Sequence, residues 1–206
     1  GSVMESYFEG MEMKVNGKNI STLLVGRFNA SNLLAIFGAA SLLGMNDDEL
    51  LKEISKLQSA SGRFQMIHSE AGIIGIVDYA HTPDGLLNIL NAIRGFAKGR
   101  IVTLFGCGGD RDKTKRPKMG RVAGRLADFC IVTSDNPRTE EPDAIIRDIL
   151  DGMNDAMAEY VVIENRRDAI EYAIRRARKD DVIVLAGKGH ETYQILKNGT
   201  IHFDER

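Results

Sequence analysis

The chain carries almost no net charge and almost no cysteine, and each shortage removes a class of protein. Lys and Arg number 27 against 29 Asp and Glu, a formal charge of −2, so no bulk attraction to nucleic acid or to an anionic membrane is expected. Cys107 and Cys130 lie far apart with no metal-type spacing, which points to a reducing cytoplasm rather than secretion. No apolar run approaches the ~20 residues of a membrane span, and the start lacks the pattern of a signal peptide. Internal repeats and low-complexity segments are missing. No His, Cys and Asp set has zinc-like spacing, so a protein-bound metal is not expected, and no Ser-His-Asp or Cys-His arrangement is legible. Without a nucleophile, the polar inventory suits catalysis by binding and charge placement.

What is present divides unevenly along the chain. Hydrophobic residues make up 43% of 206, enough for one large domain or two small ones. Gly1-Ser2 reads as a cloning scar, and the chain as a piece of something longer. Met11 to Ile20 alternates around Asn16-Gly17, which predicts a two-residue hairpin, followed by a short strand at Leu23–Val25. Ser31 to Leu43 predicts a buried helix closed by Gly44. Asn46, followed by Asp47, Asp48 and Glu49, caps a second helix. A hairpin and two helices make a poor independent core, so residues 3–61 read as the tail of a larger domain. The small polar stretch Ser59–Gly62 marks the boundary.

From residue 62 to 206 the pattern is regular. Apolar strands are predicted at 73–77, 101–105, 129–133, 160–163 and 182–186, with helices near 84–96, 119–127, 143–153 and 167–178. This alternation predicts an α/β fold, a mostly parallel sheet with helices on both faces. Val182–Ala186 has the continuous apolar character of a central strand. Tyr193–Leu196 and Ile201–Phe203, around Asn198-Gly199, predict an edge hairpin.

Polar clusters follow four of the strands: Asp78 to Asp84, Gly106 to Arg111, Thr133 to Arg138 and Gly187 to Glu191. In a parallel sheet these ends share one rim, where α/β proteins bind ligands. Thr133-Ser134-Asp135-Asn136-Pro137-Arg138 puts an acid, an amide and a guanidinium within four residues. Asp-Asn-Pro is an ordinary turn sequence, yet an arginine fork suits a carboxylate and the acid or amide an ammonium. The combination fits a zwitterionic ligand such as an amino acid. Gly106-Cys107-Gly108-Gly109 invites a dinucleotide reading, but the third fingerprint glycine would fall on Arg111. Gly187-Lys188-Gly189-His190 lacks the spacing of an ATP-hydrolysing phosphate loop. In the basic run 111–117, Lys113 and Lys115 read as a solvated helix entry and Arg111 as the ligand arginine. His68 and His202 read as surface; His81 and His190 sit on the rim.

Taken in order, Gly26-Arg27-Phe28-Asn29, Gly62-Arg63-Phe64, VDYAHTPD (77–84), FGCGGDRDKTKRP (105–117), DNPRTEEP (135–142) and AGKGHE (186–191) resemble the Mur ligases, in particular those that add the third residue of the peptidoglycan stem peptide. The resemblance covers nearly the whole chain after residue 10. It implies that residues 3–61 end a central ATP-binding domain and that 62–206 form a Rossmann-like C-terminal domain for the incoming amino acid. It implies an ATP- and Mg2+-dependent ligase with meso-diaminopimelate and a UDP-N-acetylmuramoyl-dipeptide as substrates, working in the cytoplasm as a monomer with neither nucleic-acid nor membrane partners. Its phosphate loop, magnesium ligands and modified lysine fall outside this chain, so no catalytic residue is expected here and the chain alone is expected to be inactive. For diaminopimelate the resemblance implies Asp135, Asn136, Pro137 and Arg138 as the recognition motif, with Arg138 and Asn136 at the distal carboxylate, Glu191 and the Gly187 carbonyl at the distal ammonium, and Arg111 at the other carboxylate. For ATP it implies Asn29, Arg63, Asp78 and His81. A lysine-adding homologue, a folate polyglutamate synthetase, a non-catalytic nucleotide- or amino-acid-binding module and a nicotinamide-dependent oxidoreductase remain as alternatives.

Overall fold

The computed structural model describes residues 1–206, which form two compact units, Gly1–Ala60 and Ser61–Arg206. In the first, strands β1 (Ser2–Tyr7), β2 (Gly10–Val15) and β3 (Lys18–Thr22) pair antiparallel in that order. Asn16 and Gly17 take φ of 47° and 83° between the paired residues Val15 and Lys18, the left-handed geometry a two-residue hairpin requires. Alternation puts Met11, Met13, Val15 and Ile20 on one buried face. There they meet Ala30 and Leu33 of α1 (Arg27–Leu42) and Leu50, Leu51 and Ile54 of α2 (Asp47–Ile54). Asn46 caps α2 by accepting from the amides of Asp48 and Glu49 at 2.9 and 3.3 Å. Leu42 and Leu43 stay 90% and 85% exposed. Leu23–Val25 is not a strand. Leu24 and Val25 are buried by packing without a sheet partner. Strand β1 was not foreseen, because its residues lack clean alternation.

The second unit is built on a six-stranded sheet. In chain order its elements are β4 (Gln65–His68), β5 (Ile74–Asp78), α3 (Pro83–Arg94), β6 (Ile101–Phe105), α4 (Lys115–Leu126), β7 (Phe129–Val132), α5 (Pro142–Leu150), β8 (Glu159–Val162), α6 (Arg166–Arg176) and β9 (Val182–Ala186). The strand order is β4-β5-β9-β6-β7-β8. Only the β4–β5 pairing is antiparallel. Central β9 is buried along its length, as its unbroken apolar sequence requires. Val77, Val102, Leu104, Ile131, Ile183 and Leu185 point to one face, where Ala169 and Ala173 of α6 pack on them. Helix α3 starts at Thr82, whose hydroxyl accepts from the Gly85 amide at 3.1 Å. Helix α6 starts at Asn165, which caps Arg167 and Asp168.

Two expectations need correction. Gln65–His68 forms edge strand β4, a segment too short and mixed to announce itself. The final hairpin, β10 (Tyr193–Leu196) with β11 (Gly199–His202), makes a separate two-stranded sheet instead of an edge of the main one. Its bonds go elsewhere, to the turn that follows β7.

Candidate functional site

Register aligns the carboxyl ends of the parallel strands. Asp78 and Phe105 both pair with Ala186, and Phe105 with Val132. The four polar clusters therefore leave the sheet at one level, as the strand pattern predicts. After β7 the turn Thr133–Arg138 folds inward. Thr133, Ser134, Asp135 and Asn136 are buried, and Arg138 is held at φ 55°. The hairpin clamps this turn. Gln194 Nε2 donates to the Asp135 carbonyl at 2.6 Å, the Ile195 amide to Asn136 Oδ1 at 2.9 Å, and the Arg138 amide to the Ile195 carbonyl at 3.1 Å. The glycines after β6 permit the close approach of the next loop. A Cβ on Gly109 would lie 1.9 Å from the Pro137 carbonyl oxygen. This contact, and not a dinucleotide, accounts for glycine there.

At the centre of the turn stands Lys188, which sequence reasoning passed over as part of a failed phosphate-loop pattern. It is fully buried between Gly187 and Gly189, both at positive φ. Its ammonium lies 3.2 Å from Asn136 Oδ1, 3.0 Å from Glu191 Oε2 and 3.5 Å from Asp135 Oδ1. Asn136 Nδ2 in turn donates to Glu191 Oε2 at 2.9 Å. Asp135, Asn136 and Glu191 are thus brought together as expected, around a cation that was not. A Cβ on Gly187 would lie 3.5 Å from Asp135 Oδ2, so Gly187 borders the same cluster. Behind it a second unforeseen pair closes the unit. Buried Arg166 donates to Glu205 at 2.5 Å and to the Ala186 carbonyl at 3.0 Å. The only signal for either was a charged residue beside an apolar or glycine run.

Three arginines border this cluster and differ in role. Arg138 Nη1 donates to the carbonyls of Gly109 and Asn136 at 2.9 and 3.3 Å. A Cβ on Gly108 would meet Arg138 Nη1 at 2.9 Å and Arg111 Cγ at 3.8 Å, which puts both side chains beside that glycine. Arg111 is exposed and bonds only its neighbour's carbonyl, Asp110, at 3.1 Å. Arg116, in the same basic run, is completely buried. It donates to Glu140 through both terminal nitrogens at 3.0 and 2.9 Å, to Asp148 at 2.7 Å and to the Gly108 carbonyl at 3.3 Å. The Arg116 hydrogen bonds, with one from the Asp110 amide, pull the Glu140 carboxyl down to about 2. Lys113 also reaches Glu140, at 3.2 Å, from a side chain that stays 66% exposed, so it keeps the solvated place expected of it while Arg116 clamps the glycine loop.

The expected ATP residues are disposed differently. Asn29 belongs to the first unit, where its amide donates to the Val25 carbonyl at 2.9 Å. In the second unit Arg63 stacks over Tyr79, 4.7 Å from the ring centroid. His81 and His190 lie 4.6 and 5.1 Å from the same ring. Both histidines and Arg63 are exposed. Asp78 is buried and accepts from the amides of Phe64 and Ala80, each at 2.7 Å. Burial raises its carboxyl above the ordinary value despite those bonds. Its side chain is therefore committed to holding the Arg63 and Tyr79 loops together. No group of three or more His, Cys, Asp or Glu side chains is gathered as a metal would need, and no helix is long and apolar enough to cross a membrane.

A doubly wound α/β unit whose strand ends gather acids, an amide and arginines on one rim belongs to the class of open α/β domains that carry their ligand groups there. Residues 62–189 match the family described as "Mur ligase, glutamate ligase domain", and the chain belongs to it. Among curated relatives, proteins named UDP-N-acetylmuramoyl-L-alanyl-D-glutamate–2,6-diaminopimelate ligase are similar throughout. That of Bacteroides thetaiotaomicron is 49% identical and that of Parabacteroides distasonis 51%, each covering 100% of this chain. The chain spans 43% of the length of these relatives. A solved structure titled as a ligase of the same name is 35% identical, with a TM-score of 0.71 over 98% of this chain and 42% of its own. A folylpolyglutamate synthase structure from Thermotoga maritima, 18% identical over 90% of this chain and 43% of its own with a TM-score of 0.64, shares the fold.

Proposed function

We propose that this chain is the amino-acid-binding portion of a cytoplasmic ligase that adds meso-diaminopimelate to UDP-N-acetylmuramoyl-L-alanyl-D-glutamate in peptidoglycan precursor synthesis. Residues 3–61 are then the end of its ATP-binding domain and 62–206 its C-terminal domain. The observation that carries the reading is the joining of Asp135–Arg138 to Glu191. Asn136 and Glu191 share a hydrogen bond at 2.9 Å, and Arg138 borders them through the Asn136 carbonyl. The distal end of diaminopimelate offers a carboxylate and an ammonium, whereas lysine offers only the ammonium. Arg138 and the Asn136 amide would take that carboxylate, and Glu191 with the Gly187 carbonyl the ammonium. Arg111, exposed with its fork free of any carboxylate, would hold the second carboxylate beside the reacting amine. On lysine Arg138 would face no anion, and an unmatched polar group in a closed site is costly.

ATP would transfer its γ-phosphoryl group to the carboxylate of the nucleotide-linked dipeptide, releasing ADP, and the amine of diaminopimelate would then attack the acyl phosphate, expelling inorganic phosphate and losing a proton as the amide forms. This chain's contribution is to fix that amine's approach, since positioning lowers the barrier without covalent participation. Tyr79, with Arg63 and His81 around it, offers a face for the adenine. We assign the phosphate loop and the magnesium ligands to the part of the relatives' length that this chain does not cover, as the family resemblance implies. The protein is expected to act as a monomer. Side-by-side assays of the full-length ligase with meso-diaminopimelate and lysine test the reading. Preference for lysine would make it a lysine-adding enzyme. No turnover of either, with binding retained, would make it a binding module.

A further inference from the structure

We propose that Lys188 is a specificity-determining residue: its ammonium sets the pocket's charge to zero and fixes the Asn136 amide, so that a zwitterionic end group is accepted and a lone ammonium is not. The inference rests on the amino-acid-site reading above and extends it.

The argument begins with cost. A fully buried ammonium loses its hydration and persists only when paired and hydrogen-bonded. Lys188 meets that condition on the oxygens of Asp135, Asn136 and Glu191, three residues that the ligand reading needs. Asp135 and Glu191 bring two negative charges, Lys188 and Arg138 two positive ones. Arg166 and Glu205 pair with each other, and Arg111, in the proposed function, answers the ligand's other carboxylate. A neutral pocket matches an end group that is itself neutral overall. Removing Lys188 leaves an excess negative charge, which favours a ligand end carrying only an ammonium.

The second consequence is directional. Asn136 Oδ1 accepts from both Lys188 Nζ and the Ile195 amide. Rotating the amide would set its NH2 against two donors, so the Nδ2 group is fixed toward Glu191 with one hydrogen left for a carboxylate. Lys188 and Asn136 both bond Glu191 at Oε2, leaving Oε1 for a ligand ammonium. Asp135 Oδ1 receives no hydrogen bond and interacts with Lys188 through charge alone.

The test uses the full-length ligase carrying Lys188→Met, which keeps the length of the side chain and removes its charge. The preference for meso-diaminopimelate over lysine, as a ratio of kcat/KM values, is expected to narrow at least about tenfold, mainly through KM for diaminopimelate. KM for ATP stays within about twofold. Adding Asp135→Asn restores neutrality and is expected to regain part of the preference. An effect confined to folding would lower both amino acids equally, and an unchanged ratio or such a parallel loss would overturn the proposal. Should the methionine variant fail to fold, Lys188→Gln keeps a hydrogen-bond donor without the charge and must show the same narrowing. Wild-type enzyme that does not prefer diaminopimelate would defeat the parent reading instead.

Discussion

The turn after β7 and Lys188 after β9 are buried, whereas the side chains gathered around Tyr79, which follows β5 on the same rim, stay at the surface. Asp135, Asn136 and Lys188 are nearly or wholly inaccessible and tied to the β10–β11 hairpin. Arg63, His81 and His190 are exposed around one tyrosine ring. The buried side is preorganised: its dipoles and charges are already aimed and cost nothing to arrange when a ligand arrives. The open side offers a flat aromatic face of modest, geometry-tolerant attraction. In the proposed function the first would be a stringent subsite for a small charged ligand and the second a permissive one for a larger planar group.

That contrast can be broken from either side. Arg116→Met should have the largest effect, because it strands Glu140 and frees the Gly108 carbonyl at a completely buried position. A loss of about 3–5 kcal/mol is expected in a denaturant titration of this chain, and a loss under ~1 kcal/mol would show that the clamp is ornamental. Arg138→Ala in the full-length ligase should cut kcat/KM for diaminopimelate ~100-fold or more while KM for ATP changes little. Equal losses for both would erase the distinction between the subsites. Tyr79→Ala should do the reverse, raising KM for ATP by about three- to tenfold with diaminopimelate unaffected.

The two sides also titrate with opposite sign. Glu140 is held down at about 2 from its ordinary 4.5, chiefly by Arg116. Its contribution to stability is full above the ordinary value and fades as pH falls from there towards about 2. Buried Asp78 is raised, so its contribution is favourable below the ordinary value and diminishes as pH rises through the folded one. Thermal melts across that acid range should therefore flatten on one limb for Glu140→Gln and on the other for Asp78→Asn. The smallest effect concerns the cysteines. Burial pushes both thiols up to about 12, so native protein should resist iodoacetamide at neutral pH and react fully in denaturant. Fast native alkylation would mean that the glycine loop carrying Cys107 opens.

Much of this was legible in the order of the residues. Val182–Ala186 is buried on both faces and could only be a central parallel strand. Asn16-Gly17, Asn46 and the strand–helix alternation each carry their own local physics, and the shared rim follows from parallel strands alone. Strand β4 and the true place of the β10–β11 hairpin were not legible, since a four-residue strand takes its identity from its partner. Leu23–Val25 has strand composition but found no neighbour to pair with.

The sequence by itself therefore determined the α/β class, the rim and the cast of polar groups upon it, because periodicity and turn chemistry are local properties. Which charges are buried was decided only by the tertiary structure. Lys188 and Arg116 stand in runs that look solvated. Whether such a cation faces water or three oxygens depends on loops more than fifty and more than twenty residues away, respectively, brought in by sheet register. Burial and pairing are properties of that assembly, and they turn a four-residue turn into a buried cluster of paired charges.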